Sequence, residues 1–479
     1  MNTVTDFTTT QIGREKHDDL QDERARQWLE EHMGGKVLSM VRHLRWRPTW
    51  VVEMEVDGEY KKLFVRGPRG EEWINPVSMR QEADIHAVLE RNGVPVAHIY
   101  HELEDAWAIV MDAVTGQIII GTARDDRALD AVSQQFVEAL VRVHRIPLAD
   151  FAEIGLHIPE DPSDIALNHY RRCYDIFRRQ MGDEVVPFMD FTWHWLVRNV
   201  PEYRHRGCGI TGDAGQFMFD GDRLVCLIDF EQFYVGDPIA DFSAMRLRDM
   251  IEPLDIADLI RRYEGLAGEP VDKYAFEYHT VGFNGVNGWL LWPTTVSPDL
   301  EQDYVAYLSF AIASSRWTVK SMVEIMGIEL EDVPLPEESR PFAPMPPFAH
   351  LMDSIPKLKG QGRYAEYNEM KTASLAKYID RWNRYGNWVI KQDLENVSKL
   401  LGKTCNDYRQ AQRELSAFVA EVGADHDETL IQYFHRWLEM QEFLVRDCGP
   451  QTFLVGRDLK PIELPWRPGT APEVRTTEE

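Results

Sequence analysis

Period-two alternation opens the informative part of the chain. Trp50, Val52, Met54 and Val56 interleave with Val51, Glu53 and Glu55; Asp57-Gly58 follows, and then a second apolar run, Leu63-Phe64-Val65. Two β-rich runs joined by Asp-Gly predict a hairpin. Over residues 79–92 the period lengthens to that of a helix, with Ile85, Val88 and Leu89 on one side, Gly93 as the stop and Pro95 beyond it. Residues 107–111 form a short, fully apolar strand broken by Val114-Thr115-Gly116. Upstream, residues 21–33 are charged and helix-prone, with Trp28, Leu29 and Met33 as a partial apolar stripe. Strand, strand, helix, strand predicts a small α+β lobe.

From residue 126 onward the pattern is helical. Residues 129–143 carry apolar side chains at helical spacing and end in His144-Arg145-Ile146-Pro147, and residues 161–200 are helical and rich in aromatics. A β-rich interruption follows, with strands near 216–219 and 224–228 joined by Asp220-Gly221, after which long helices run to residue 330. The stretch 333–356 holds Pro334, Pro336, Pro341, Pro344, Pro346, Pro347 and Pro356, dense enough to predict a linker or extended strap. Residues 364–448 return to helix, with Trp382, Trp388, Leu400, Leu401, Phe418, Phe434, Trp437 and Phe443 as expected core, and 465–479 reads as a loose tail. No internal repeat is visible. The expected organisation is a leader and helix (1–34), a β-rich lobe (35–115), a helical lobe (116–332), a Pro-rich linker (333–363), a C-terminal helical region (364–463) and a tail (464–479).

Composition narrows the class. The 479 residues suggest about two to four domains. A hydrophobic fraction of 44% supplies enough apolar side chain to bury a core, which argues against disorder over the whole length. Lys and Arg number 52 against 79 Asp and Glu, a formal charge of −27, which disfavours nucleic acid and anionic membrane surfaces as partners. The five cysteines form no CxxC and no zinc spacing, and fit a reducing compartment. The polar, Thr-rich first residues lack the apolar core of a secretory signal, and stretches such as 118–120 fall far short of the roughly 20 apolar residues that span a bilayer. A cytoplasmic protein is expected.

The candidate chemistry sits in Ile210-Thr211-Gly212-Asp213-Ala214-Gly215-Gln216, continues through the hairpin to Ile228-Asp229-Phe230-Glu231, and ends in Gly236-Asp237-Pro238-Ile239-Ala240-Asp241. Asp213 lies on a Gly-flanked loop, Gln216 offers an amide, and Asp229 ends a strand. Two carboxylates and an amide brought together by a hairpin suit Mg2+, which prefers hard oxygen donors. They also suit phosphoryl transfer, in which one Asp takes the substrate hydroxyl proton and another holds the metal.

At these motifs the chain resembles the aminoglycoside phosphotransferase and choline kinase-like family, small-molecule relatives of protein kinases. The resemblance runs from about residue 35 to 330. It implies an α+β, two-lobed protein-kinase-like fold, with a small β-rich N-lobe, a mainly helical C-lobe and an extra C-terminal helical region. It further implies a Mg2+-assisted transfer of the γ-phosphoryl of ATP or GTP to a hydroxyl of a small-molecule alcohol. On this resemblance Asp213 is the general base, Asp229 the principal metal ligand with Gln216 beside it, and Asp241 a brace for the loop. Leu63-Phe64-Val65-Arg66 resembles the strand whose basic residue reaches the phosphates, and Glu82, in Arg80-Gln81-Glu82-Ala83, its partner carboxylate. Ile109-Val110-Met111-Asp112 resembles the hinge that binds the base.

Three departures from the family pattern stand out: Thr211 replaces the loop's usual His; Gln216 replaces an Asn in a loop about two residues short; and the segment expected to be Gly-rich, near 42–49, has no glycine. Backbone N–H groups in such a loop cradle phosphates, so either Arg45 or Arg47 replaces them or nucleotide binding is weakened. The alternative left open is a catalytically silent pseudokinase that binds nucleotide or protein.

Other candidates have blander readings beside them. His144 ends a helix and is expected to be structural. Trp193-His194-Trp195 reads as core or as a substrate platform. Tyr278-His279 and Phe283-Asn284-Gly285-Val286-Asn287-Gly288-Trp289 read equally as an acceptor wall or as helix packing. Glu231 could touch the acceptor or be structural, and Asp220 and Asp222 read as turn residues. The aromatic-rich C-terminal helices must bury against something, a homodimer partner being one option.

Overall fold

The computed structural model describes residues 18–43, 48–67, 75–100, 108–298, 302–337, 346–357 and 365–472. Residues 44–47, with Arg45 and Arg47, lie outside the described residues. Helix α1 (Asp18–Met33) leads into strands β1 (Gly35–His43), β2 (Thr49–Val56) and β3 (Glu59–Arg66), then α2 (Met79–Arg91) and β4 (Ile109–Asp112). These strands form one antiparallel sheet in the order β1-β2-β3-β4. The Asp57-Gly58 hairpin is present, with Val56 opposite Glu59 and both turn residues at positive φ, as a tight two-residue connection requires.

The alternation in β2 sorts the two faces of the sheet. Trp50, Val52, Met54 and Val56 join Leu63, Val65 and the Trp28 and Leu29 of α1 in one cluster. Ala83 of α2 packs with Ile99, Ile109 and Met111 in another. Helix α2 is set by local chemistry: the Ser78 side chain accepts from the Gln81 N–H at its start, and Gly93 takes φ +72° just past its end.

Next come α3 (Asp126–His144), α4 (Leu148–Glu153), α5 (Pro162–Met181) and α6 (Pro187–Arg198). They are followed by β5 (Cys208–Ile210), β6 (Phe217–Asp220), β7 (Arg223–Leu227) and β8 (Tyr234–Gly236). β5 pairs with β8, and β6 with β7 around the expected Asp220-Gly221 turn. Helices α7 (Ile239–Asp249), α8 (Ile256–Ala267), α9 (Lys273–Val296) and α10 (Tyr304–Met326) complete this stretch. The Pro-rich segment contains a helix, α11 (Pro346–Ser354). Its two leading prolines stand where a helix has no use for the N–H that proline lacks, so proline density there does not exclude helix. Helices α12 (Ala365–Leu401), α13 (Tyr408–Glu421) and α14 (Asp427–Val445) follow.

The chain divides into two compact units. The first holds Met1–His169, Pro201–His279 and Lys460–Trp466; the second holds Tyr170–Val200, Thr280–Leu459 and Arg467–Glu479. In the first unit α2, α3, β6, β7, α7 and α8 share one core, to which Ile462 also belongs. The Lys460–Trp466 segment is anchored there: Arg246 donates to the Lys460 carbonyl at 2.9 Å, the Lys273 N–H donates to the Pro465 carbonyl at 2.9 Å, and the Lys273 ammonium lies 5.4 Å from the Trp466 ring centre. Residues 465–466 are therefore docked, where the sequence suggested a loose tail.

In the second unit the Gly-rich run of α9 is a packing device. A Cβ at Gly282 would sit 2.2 Å from the Tyr170 ring, one at Gly288 2.6 Å from Met189 Sδ, and one at Gly285 3.1 Å from Thr192. Trp289 is fully buried and Asn284 donates to the Thr280 carbonyl, so helix packing accounts for this run. Trp195 is likewise core, while Trp193 stacks on Tyr174 with centroids 5.1 Å apart.

Candidate active site

Arg66, Glu82, Met111, Asp213, Gln216 and Asp229 all belong to the first unit, whereas Trp193–Trp195 and residues 283–289 belong to the second. Arg66 ends β3, and its guanidinium bridges three acids: Nη1 donates to Glu82 Oε1 at 2.5 Å, Nη2 donates to Asp229 Oδ1 at 2.7 Å, and Glu231 Oε2 lies 3.6 Å from Nη2. Burial works against the Arg66 charge, but the Asp229, Glu82 and Glu231 carboxylates outweigh it and hold the group charged more firmly than a free arginine. The planar fork lets one cation serve partners from α2 and from the β7–β8 connection.

Asp213, Asp229 and Glu231 each place a carboxylate oxygen within 4.8 Å of the others, a cluster able to hold a metal ion. Gln216 joins it, its amide N–H donating to Asp213 Oδ2 at 2.9 Å and to Asp229 Oδ2 at 3.3 Å. Asp229 holds φ +69°, a left-handed conformation that costs a non-glycine residue strain and is concentrated at functional sites. Glu231 was not assigned to the metal cluster from the sequence. Its signal was spacing: two residues past a strand-end Asp, it is 6% exposed and faces the same cation.

The loop carrying Asp213 is held from below. Asp241, fully buried at the start of α7, accepts from the Thr211 N–H at 3.0 Å, the Thr211 hydroxyl at 2.7 Å and the Gly212 N–H at 3.2 Å. His144 Nε2 contacts the other Asp241 oxygen at 2.9 Å, and His144 Nδ1 contacts the Tyr263 hydroxyl at 2.9 Å. Thr211 thus ties itself to the brace by its own hydroxyl. Gly212 takes φ +79°, and a Cβ there would lie 2.2 Å from the Gln232 carbonyl oxygen, so only glycine fits.

At the hinge, Met111 is buried in β4 opposite Phe64, while the Asp112 N–H donates to the His98 carbonyl and the Ala113 N–H to the Lys62 carbonyl, both at 2.9 Å. Behind Glu82, His86 is almost fully buried in α2. Its ring stands edge-on to Phe230 at 5.3 Å, its Nε2 has no hydrogen-bond partner among the described residues, and burial pushes its pKa down to about 4. The structure thus brings Arg66, Glu82, Asp213, Gln216 and Asp229 together and adds Glu231. Arg42, also in the first lobe, pairs with Asp22 at 3.3 Å and lies over the Trp50 ring.

An antiparallel four-stranded lobe, a helical remainder, and a carboxylate cluster facing an Arg–Glu pair make up a two-lobed, protein-kinase-like α+β fold. Residues 48–276 match the model described as the phosphotransferase enzyme family. No curated protein matches the chain.

Among solved structures, a choline kinase from Streptococcus pneumoniae is similar at 13% identity and a TM-score of 0.46, covering 64% of this chain and 99% of its own. A choline/ethanolamine kinase family protein from Mesorhizobium loti is similar at 14% identity and 0.44, covering 63% and 94%. A macrolide 2'-phosphotransferase from Brachybacterium faecium is similar at 13% identity and 0.42, covering 62% and 97%. Among the described residues, no helix is long and apolar enough to cross a membrane.

Proposed function

We propose that this enzyme transfers the γ-phosphoryl group of ATP to a hydroxyl of a small-molecule alcohol with the help of Mg2+. The observation that carries this reading is the convergence of Asp213, Asp229 and Glu231 within 4.8 Å of one another, beside an Arg66–Glu82 pair drawn from the other lobe. The donor set fits the ion: three carboxylates and one amide, all hard oxygen sources. Asp229 and Glu231 would hold Mg2+, joined by the Gln216 amide oxygen once the amide turns from the N–H-inward orientation it has in this structure, and the ion when bound supplies positive charge against the transferring phosphoryl group. Asp213 orients the acceptor hydroxyl and takes its proton. Arg66, anchored by Glu82, binds the phosphates, its fork offering two donors to a phosphate oxygen pair. Asp241 keeps the Asp213 loop from drifting.

The test is purified protein with Mg·ATP, and in parallel Mg·GTP, against a library of alcohols that includes choline and macrolides. Asp213→Ala should lower the transfer rate by about 10²–10⁴-fold. It should leave the thermal shift produced by Mg·ATP in place, because that shift reports binding. A variant as active as the parent sinks the assignment.

A further inference from the structure

The loop that carries Asp213 and Gln216 is short and conformationally costly. Gly212, Ala214 and Gly215 all hold positive φ, at +79°, +50° and +58°. A non-glycine residue in that region persists only where the surroundings fix it from more than one side. Asp241 fixes the Thr211–Gly212 end. The other end is fixed from the same helix, because Arg248 lies seven residues further along α7, two turns on and on the same face.

Arg248 Nη1 donates to the Gly215 carbonyl at 2.6 Å, and Nη2 to the Ile118 carbonyl at 3.4 Å. Its Nε and Nη2 also donate to the Glu252 carboxylate at 2.9 and 3.1 Å. Glu252 in turn accepts from the Ile120 N–H at 2.7 Å. The guanidinium sits 4.7 Å from the ring centre of Phe217, the residue after Gln216, and is itself buried. Gln216 is therefore gripped on both sides of its backbone, and its own carbonyl accepts from the Ile228 N–H, one residue before Asp229, at 3.1 Å.

We propose that Arg248 is a positioning residue for the metal end of this loop: by holding the Gly215 carbonyl and the Phe217 ring it sets where the Gln216 amide stands. The inference rests on the phosphotransferase reading above. A glutamine on a shortened loop reaches the carboxylates only if its backbone is pinned, and the guanidinium fork is the group that pins it. Lysine, with a single ammonium, cannot serve Gly215, Ile118 and Glu252 together.

The experiment measures Mn2+ binding by electron paramagnetic resonance, in the presence of the non-hydrolysable ATP analogue AMP-PNP, for the parent protein, R248K and R248M. Binding of AMP-PNP without metal is measured by calorimetry alongside. R248M should weaken Mn2+ binding by about 10–100-fold, the usual effect of removing a group that orients a metal ligand, and leave metal-free AMP-PNP affinity unchanged. R248K should show a smaller loss of the same kind, and decides the question if R248M does not fold. Unchanged Mn2+ affinity, or metal and nucleotide affinities falling together with the melting temperature, would overturn the proposal. A parent protein that does not bind Mn2+ with AMP-PNP would overturn the functional reading instead.

Discussion

Asp237 in the first unit and Asp393 in the second are both fully buried carboxylates, and they solve burial in opposite ways. Asp237 receives the Arg204 fork at 2.8 Å on each oxygen, the Ile239 N–H at 3.0 Å, and has His279 Nε2 at 3.5 Å. Burial alone would raise its pKa, but His279 and Arg204 outweigh burial and hold it well below the usual carboxylate range. Asp393, on α12, is held by neutral groups: Tyr433 of α14 at 2.7 Å, Gln412 of α13 at 2.9 Å, and Tyr408 of α13. Burial dominates there and pushes it up to about 6, against an ordinary 3.8. At Asp393 hydrogen bonds from neutral groups do not offset the loss of water around the charge, whereas at Asp237 the His279 and Arg204 partners do. Asp237 keeps its charge, whereas Asp393 takes up a proton in mild acid.

The largest expected effect comes from breaking the paired site. Arg204→Met leaves Asp237 buried without its cation and should cost about 3–5 kcal/mol in urea unfolding; a loss near that of a surface substitution would mean that the pair does not carry the charge. Asp393 comes next. Its folded pKa is raised, so its contribution is present below pH 3.8 and is lost as pH rises through about 6. The α12–α14 helices should therefore exchange amide hydrogens more slowly at pH 5 than at pH 7, after correction for intrinsic rates. Asp393→Asn should flatten that dependence, removing about 3 kcal/mol of destabilisation at pH 7.

The smallest effect is the reverse case, a buried base in the first unit. His86 is depressed from 6.5 to about 4, so its contribution is present above pH 6.5 and is lost as pH falls through 4. Protection of α2 should fall by about 2 kcal/mol at pH 5 relative to His86→Leu. If α2 and α12–α14 respond to pH with the same sign, the contrast between the units fails.

Features written in adjacent residues were legible in the sequence. The Asp57-Gly58 and Asp220-Gly221 turns, the Gly93 stop and the alternation of β2 all need only local chemistry. β1 was not read as a strand, because a register shift between Val37 and Ser39 breaks its period and Leu38 and Val41 are more than half exposed. Asp213, Asp229, Arg66 and Glu82 were legible because their motifs keep order along the chain. Glu231 reads from the sequence as an acceptor contact or a structural residue, not as a metal ligand, and Arg248 carries no signal because it acts on a loop 33 residues upstream. Pairings at that separation leave no periodic trace in the sequence.

The docked Lys460–Trp466 segment bears on how the protein is made. Ile462 belongs to the same core as α2, α3 and α7, yet the ribosome adds it only after the 180 residues from Thr280 to Leu459. At about 5–20 residues per second, the first unit waits roughly 10–40 s between emergence of its penultimate piece and its last. During that interval its apolar seam stands open to chaperones and to other nascent chains. Expression yield should therefore depend on translation speed through the second unit, even for substitutions that never touch the active site.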